Sequence, residues 1–243
     1  MTARLTASRM FFTLPLFAAL VALGQSGGSA QYYEEREYKP VEARYIYVGA
    51  VRRDFAPQES NTAPDSTRIS YEKLMPMIGF RQGPVDFFFG YAKFDQRGKS
   101  NTTIVVGTVV STEFPVAGQR GNALVLPLMF AADYTQAESG GPERENFNIA
   151  SVGLGAGLTY RLSTESLDVS IHAGELLQYA SQGLSTGSGF SAATLADAYL
   201  ILHEIVLDGL ALGYRFRYQT WSMSDTQFNY RSVSHGPYVG LLF

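Results

Sequence analysis

Residues 147–162, FNIASVGLGAGLTYRL, alternate without a break from Ala150 onward. Ala150, Val152, Leu154, Ala156, Leu158 and Tyr160 fall on one side; Ser151, Gly153, Gly155, Gly157, Thr159 and Arg161 fall on the other. A period of two is that of a β-strand, whose successive side chains point to opposite faces. The run is longer than an ordinary soluble strand of about 5–6 residues. It is long enough to cross a bilayer, which takes roughly 9–11 tilted residues. Read this way, the stretch has a lipid face and a lumen face, with Tyr160 at the headgroup level of one interface. A strand of a soluble β-sandwich, its apolar row against a partner sheet, has the same alternation. The rest of the chain decides between the two.

Residues 1–30 read as a secretory leader: Arg4 and Arg9 make a positive n-region, Met10 to Leu23 an apolar core, and Gly28-Ser29-Ala30 a cleavage site. Cleavage is expected after Ala30, with Gly24 as the alternative. Losing two of the 19 basic residues and none of the 22 acidic ones moves the net charge from −3 to −5. That balance argues against a nucleic-acid partner, whose footprint is a basic patch. The chain has no Cys, hence no lipobox and no disulfides. Beyond the leader no apolar run reaches the roughly 18 residues of a membrane helix. With 24 Gly, 15 Tyr and 16 Phe in 243 residues, the composition suits a barrel in which half of each strand faces lipid.

Residues 31–40 read as a polar periplasmic lead-in, and residues 41–243 as one barrel. Strands are predicted at about Val41–Arg52, Ile69–Arg81, Val85–Asp95, Thr102–Phe114 and Ala123–Tyr134, then the organising strand. Leu167, Val169, Ile171 and Ala173 next alternate with Asp168, Ser170, His172 and Gly174. A strand at about Phe190–Leu207 leads through an Asp208-Gly209 turn into Leu210 to Gln219, which puts Arg215, Arg217 and Gln219 on its polar face. A charged face belongs to a lumen or to water. Connections at Gly83-Pro84, Pro115 to Asn122, Ser163 to Ser166 and Asp208-Gly209 are mostly short; those between them are mostly longer and polar. That alternation fits periplasmic turns and external loops. The count is about ten strands, or eight if the middle holds fewer, in an all-β, antiparallel, up-and-down transmembrane barrel.

The last strand places Val239, Leu241 and Phe243 in one register, closing on an aromatic residue. This ending resembles the C-terminal signature of bacterial outer-membrane β-barrels of the small OmpA/OmpW type. The resemblance implies an outer-membrane location and recognition by the barrel-assembly machinery.

The expected lumen residues are Arg161, Asp168, Ser170, His172, Arg215, Arg217 and Gln219, with Glu72, Arg81, Asp86, Asp197 and Glu204 of undecided register. Charges enclosed in so narrow a barrel need partners, so a plug of ion pairs is expected, and a narrow polar conduit is the alternative. Ile104-Val105-Val106 and Ala123 to Met129 are apolar on both faces and are expected to give the lumen one hydrophobic wall. Pro76, Pro127 and Pro237 lie inside strands, where each removes a ladder donor, so gaps in pairing are expected there. Such gaps resemble those through which hydrophobic-ligand barrels of the OmpW type pass apolar molecules into the membrane. A competing reading is a hydrolase using Ser170 and His172 beside Asp168, or Ser234 beside His235. Its likeness to outer-membrane lipid A deacylases is weakened by order, Ser-Ile-His here against His-x-Ser there. A third is an exported soluble barrel of lipocalin type with its apolar rows inward. The expected role is structural or surface-exposed, or that of a narrow channel or hydrophobic small-molecule carrier, without enzymatic activity, cofactor or metal. The partners expected are outer-membrane lipids and small or hydrophobic solutes.

Overall fold

The computed structural model describes residues 43–119, 121–138, 146–183, 187–205 and 207–243. The proposed leader and lead-in lie outside the described residues.

Ten strands follow in order: β1 (Arg44–Pro57), β2 (Tyr71–Gln82), β3 (Val85–Gln96), β4 (Lys99–Gln119), β5 (Asn122–Ala137), β6 (Phe147–Ser163), β7 (Leu167–Ser181), β8 (Ser188–His203), β9 (Gly209–Met223) and β10 (Tyr230–Leu242). Each pairs antiparallel with its sequence neighbours, and β1 pairs with β10, from Tyr45↔Leu242 to Pro57↔Tyr230, so the sheet closes on itself. Closure leaves no open edge, which is what a sheet in lipid requires.

The pleat sorts side chains into two environments. Outward from β6 and β7 stand Val152, Leu154, Ile171 and Leu177, with Leu154 68% and Leu177 64% exposed. Ile46, Val48, Leu74, Ile78, Phe130, Leu212, Val239 and Leu241 continue this apolar band on other strands. Exposed aromatic residues bracket it, with Tyr160, Phe114 and Phe243 toward one end and Tyr91, Tyr134 and Tyr179 toward the other. Inward stand charges, amides and hydroxyls, together with packed aromatic and methionine side chains. A soluble lipocalin-type barrel has the reverse arrangement, so the fold is a transmembrane β-barrel.

Several boundaries differ from the sequence reading. The predicted Gln96–Asn101 loop is a tight turn at Arg97-Gly98, both at positive φ (55° and 72°), with β4 beginning at Lys99. The predicted Pro115–Asn122 turn is mostly strand: β4 runs to Gln119 because its register shifts between Pro115 and Ala117, a bulge that absorbs Val116. Asp208-Gly209 is not the turn itself. β8 stops at His203, the chain reverses with Glu204 and Leu207 at positive φ, and Gly209 already pairs with His203 and Leu242.

Candidate functional site

The described interior is layered along the barrel. At the end carrying the long β1–β2 connection, Phe55, Tyr71, Phe94, Phe147, Trp221, Phe228 and Tyr230 form one buried cluster. Phe55 stacks between Tyr71 and Tyr230, with centroids 5.4 and 4.9 Å away, and Phe147 meets Phe55, Trp221 and Tyr230 edge-on at 5.0–5.2 Å. The loop above is fastened to it. Ile69 N–H donates to the Tyr230 hydroxyl (3.1 Å), while Asn61 Nδ2 donates to the carbonyls of Gln227 (2.7 Å) and Asn229 (3.1 Å). This end is closed by apolar packing.

Below it, Asp133 on β5 reaches across the lumen. Its carboxylate accepts from Arg217 Nη2 on β9 (2.7 Å), Gln178 Nε2 on β7 (2.6 Å) and Gln219 Nε2 on β9 (3.1 Å). Gln219 also donates to Ser191 Oγ at 2.9 Å. Strands β5 and β9 are not sheet neighbours, so this bond spans the interior.

A second assembly lies nearer the termini. Arg81 and Asp86 face each other across β2 and β3, and Asp197 and Arg215 across β8 and β9, both in direct register. The two cross-strand pairs meet. Arg81 Nη2 is 3.1 Å from Asp86 Oδ2 and 2.7 Å from Asp197 Oδ2; Arg215 Nη2 is 2.5 and 3.2 Å from the same atoms. Tyr47 donates to Asp86 Oδ1 (2.9 Å) and Tyr238 to Asp197 Oδ1 (2.8 Å). Two cations and two anions sum to zero, and each carboxylate has donors on both oxygens, the condition under which buried charge is tolerated. The tyrosines reach this position because glycines lie beneath them. A Cβ on Gly79 would come within 2.1 Å of the Tyr47 ring, and one on Gly213 within 2.2 Å of the Tyr238 ring.

The remaining lumen residues pair locally. Arg161 bridges to Glu113, and Asp168 binds His203 Nε2 at 2.8 Å and the Ser163 hydroxyl. His172 Nδ1 shares a hydrogen bond of 2.8 Å with Thr159 Oγ1. Ser170 lies on the same inner face, but no hydrogen bond joins it to His172 among the described residues. Ser234 faces inward, whereas His235 faces outward and bonds the Tyr214 hydroxyl through Nδ1 at 2.6 Å. Neither serine therefore has a histidine base in hydrogen-bond reach, which nucleophilic catalysis requires. Glu72, left open by the sequence, faces outward and pairs with Arg52; Glu204 sits in the exposed β8–β9 turn. Among the described residues no three His, Asp or Glu side chains gather as metal ligands.

The hydrophobic wall is two-sided: Val105, Val125 and Met129 are buried inward while Val110, Leu128 and Phe130 stand outward. Each of the three prolines lies at an interruption of a ladder. Pairing of β2 with β3 covers only Met77–Gln82 against Val85–Gly90, stopping one residue short of Pro76. The β5–β6 register omits Leu126 and Pro127, and the β1–β10 register omits the partners of Gly236 and Pro237. Beside the β2–β3 seam a lumen cavity of about 150 Å³ runs from the Gly83-Pro84 turn past Met75, Met77 and Phe88 to Arg53 and Gln219.

Asp133, Gln178 and Glu113 were not among the lumen residues expected from the sequence, and two further residues also escaped it. Arg53 lies one position beyond the predicted end of the first strand; continuing that alternation places it inward, where it is 3% exposed. Glu175 continues the lipid-facing row of β7 between Ala173 and Leu177, and the Thr194 hydroxyl donates to both its oxygens at 2.9 and 3.0 Å. Extending the period by one pair was the available signal for each.

The class these features define is a ten-stranded transmembrane β-barrel with an ion-paired, partly filled lumen. No protein-family model matches the chain, and no curated protein matches it. Among solved structures it is similar to Neisserial surface protein A, at 15% identity over 82% of this chain and 97% of that one, with a TM-score of 0.33. It is also similar to the outer membrane protease OmpT of Escherichia coli (6% identity, 86% and 99% covered, TM-score 0.42). A third is the beta domain of the Bordetella autotransporter BrkA (12% identity, 83% and 100% covered, TM-score 0.37).

Proposed function

We propose that the protein is an integral outer-membrane barrel with a structural or surface role, whose lumen does not conduct ions. The observation carrying this reading is the Asp133–Arg217 bond across the interior, beneath the packed aromatic layer that holds Phe55 and Trp221. A conduit needs a continuous wet path, and both of these features interrupt one. No catalytic role is assigned, because the Ser170/His172 and Ser234/His235 pairs lack the hydrogen bond that links nucleophile to base.

The test is planar-bilayer conductance of the refolded protein beside the Arg215→Ala/Arg217→Ala double variant. Silence from protein that is folded and inserted supports the reading, and discrete openings of the unaltered protein overturn it. Openings in the variant alone identify these arginines as the plug.

A second reading, a carrier of hydrophobic small molecules, is favoured by one feature. Above Met77↔Gly90 no backbone ladder joins β2 to β3, and Met75 beside that seam also lines the cavity. Partition of an apolar fluorophore into the barrel, lost when Met75 and Met77 are both changed to Gln, is the result expected on that reading.

A further inference from the structure

The lumen cations are not evenly matched. Arg81 and Arg215 share Asp86 and Asp197, Arg161 has Glu113, and Arg217 has Asp133. Arg53 is as buried as any of them, yet among the described residues no carboxylate lies within 4 Å of it. Its neighbour on the strand, Phe55, offers a ring face 5.8 Å away. Asp133 already accepts from three donors. Among the described residues the buried Nε–H groups of both Arg53 and Arg217 lack an acceptor, and both side chains line the same cavity. The Arg53 side chain hydrogen-bonds Tyr71, a neutral partner, and a buried guanidinium without a counter-charge at ion-pair distance is costly. A water molecule supplies an acceptor for such an N–H but no counter-charge.

The shape of the cavity narrows what would. It extends from the β2–β3 turn, level with Arg44 in the register, to Arg53. Nine residues of strand at about 3.3 Å each, tilted by about 35–45°, make a path of about 21–25 Å along the axis. A volume of about 150 Å³ spread over that length is a narrow tube. Its wall carries Met75, Met77, Phe88, Val105 and Met129 on one part and Arg81, Asp86, Asp197 and Arg215 on another. The Arg81/Asp86/Arg215/Asp197 assembly that forms this part of the wall is internally neutral, so it offers an anionic head no net charge.

We propose that this lumen binds one single-chain anionic amphiphile, its carboxylate or phosphate head on Arg53 and Arg217 and its alkyl chain along the wall formed by Met75, Met77, Phe88, Val105 and Met129. The head supplies the counter-charge that Arg53 lacks. The chain displaces water from apolar wall, a favourable exchange roughly proportional to the area covered. This site is independent of conduction: a silent barrel accommodates it equally.

Trp221, the chain's single tryptophan, reports on the head end, since it packs 6.1 Å from Phe55. The experiment uses the refolded protein in zwitterionic nanodiscs, titrated with an α-brominated dodecanoate while tryptophan quenching is read. Saturable quenching is expected, with Kd raised at least about tenfold in Arg53→Met, because charge-assisted hydrogen bonds are lost. Should Arg53→Met fail to show heat-modifiable migration, the wild type decides alone: the corresponding brominated alcohol must bind at least about tenfold more weakly than the acid. No saturable quenching, equal affinity of acid and alcohol, or an unchanged Kd in the folded variant overturns the proposal. Displacement of the acid by inorganic phosphate at equal concentration also overturns it, because the head alone would then carry the affinity.

Discussion

Removing the carboxylate of Asp133 tests how the middle of the barrel is held. Asp133 is buried, as is Arg217, and their 2.7 Å bond joins strands that the sheet itself does not join. Asp133→Leu deletes three hydrogen bonds to a carboxylate, one from a guanidinium and two from amides, and strands the Arg217 guanidinium without a counter-charge. Breaking a buried pair from one side costs about 3–5 kcal/mol. Arg217→Met is milder, because Gln178 and Gln219 still donate to the carboxylate; about 2–4 kcal/mol is expected from the same considerations. The double variant carries neither stranded charge, and replacing a buried pair by apolar side chains is often neutral or better. It should lie within about 2 kcal/mol of wild type once the two glutamines have lost their acceptor. The singles and the double are compared by urea unfolding in vesicles, followed by Trp221 fluorescence, so that the coupling is read from one cycle. A coupling of at least about 3 kcal/mol is expected from these figures. Additive losses, or a single Asp133→Leu cost below about 1 kcal/mol, would refute the claim that this pair is buried and coupled across the lumen.

Other outcomes follow from the same geometry. Gly79→Ala and Gly213→Ala push a methyl group into the Tyr47 and Tyr238 rings, whose atoms lie 2.1 and 2.2 Å from the new Cβ. Each should cost about 1–3 kcal/mol, and pairing Gly213→Ala with Tyr238→Ala should recover part of its loss in the same urea assay. Glu175→Leu removes a carboxylate from the lipid-facing band and should raise stability by about 1–2 kcal/mol, less than the figure for a basic residue at the midplane. A loss of stability there would mean that the bonds from Thr194 outweigh the cost of a carboxylate in the lipid-facing band. Backbone amides of Tyr91 to Gln96 on the β2 side of β3 should exchange with deuterium faster than those of the unbroken β7–β8 ladder, read by mass spectrometry of the folded protein.

The architecture was legible because β6, β7 and β9 alternate strictly, and strict alternation in a long strand has few other physical meanings. Register was illegible where both faces have similar polarity. In β1 the inner row Tyr45, Tyr47, Gly49 and Val51 is hardly more polar than the outer row Ile46, Val48 and Ala50. Only the pairing of β1 with β10 and β2 separates them. The boundary errors have local causes. Arg97 takes a left-handed conformation that residue type does not announce, which makes a hairpin of what reads as a loop. Pro115 reads as a turn but sits at a bulge, one of the places in a sheet where proline is tolerated. Which charges pair was legible least. Arg81 and Asp86 are five residues apart, but their encounter with Asp197 and Arg215 depends on ring closure through β1 and β10, which no local pattern encodes.

The two ends of the interior are closed by different physics, and the difference has consequences for what can move. The aromatic end holds itself by dispersion and area, terms that decline gradually as rings shift, and its loop is tied down by Asn61 and Gln58 to backbone carbonyls of β9 and β10 and the connection between them. Opening it means exposing Phe55, Phe147 and Trp221 together, each 0–1% exposed. At about 1.5–3 kcal/mol per large apolar side chain, that is a cooperative cost of several kcal/mol. The other end is held by ion pairs whose geometry is discrete. Arg81 and Arg215 each already contact both Asp86 and Asp197, so either guanidinium can favour one carboxylate without leaving a charge alone. Adjustment is therefore cheap beside the cavity and expensive at the far end. On the proposal that the lumen holds an amphiphile, this asymmetry puts its entry on the side of the termini and its head below the aromatic layer.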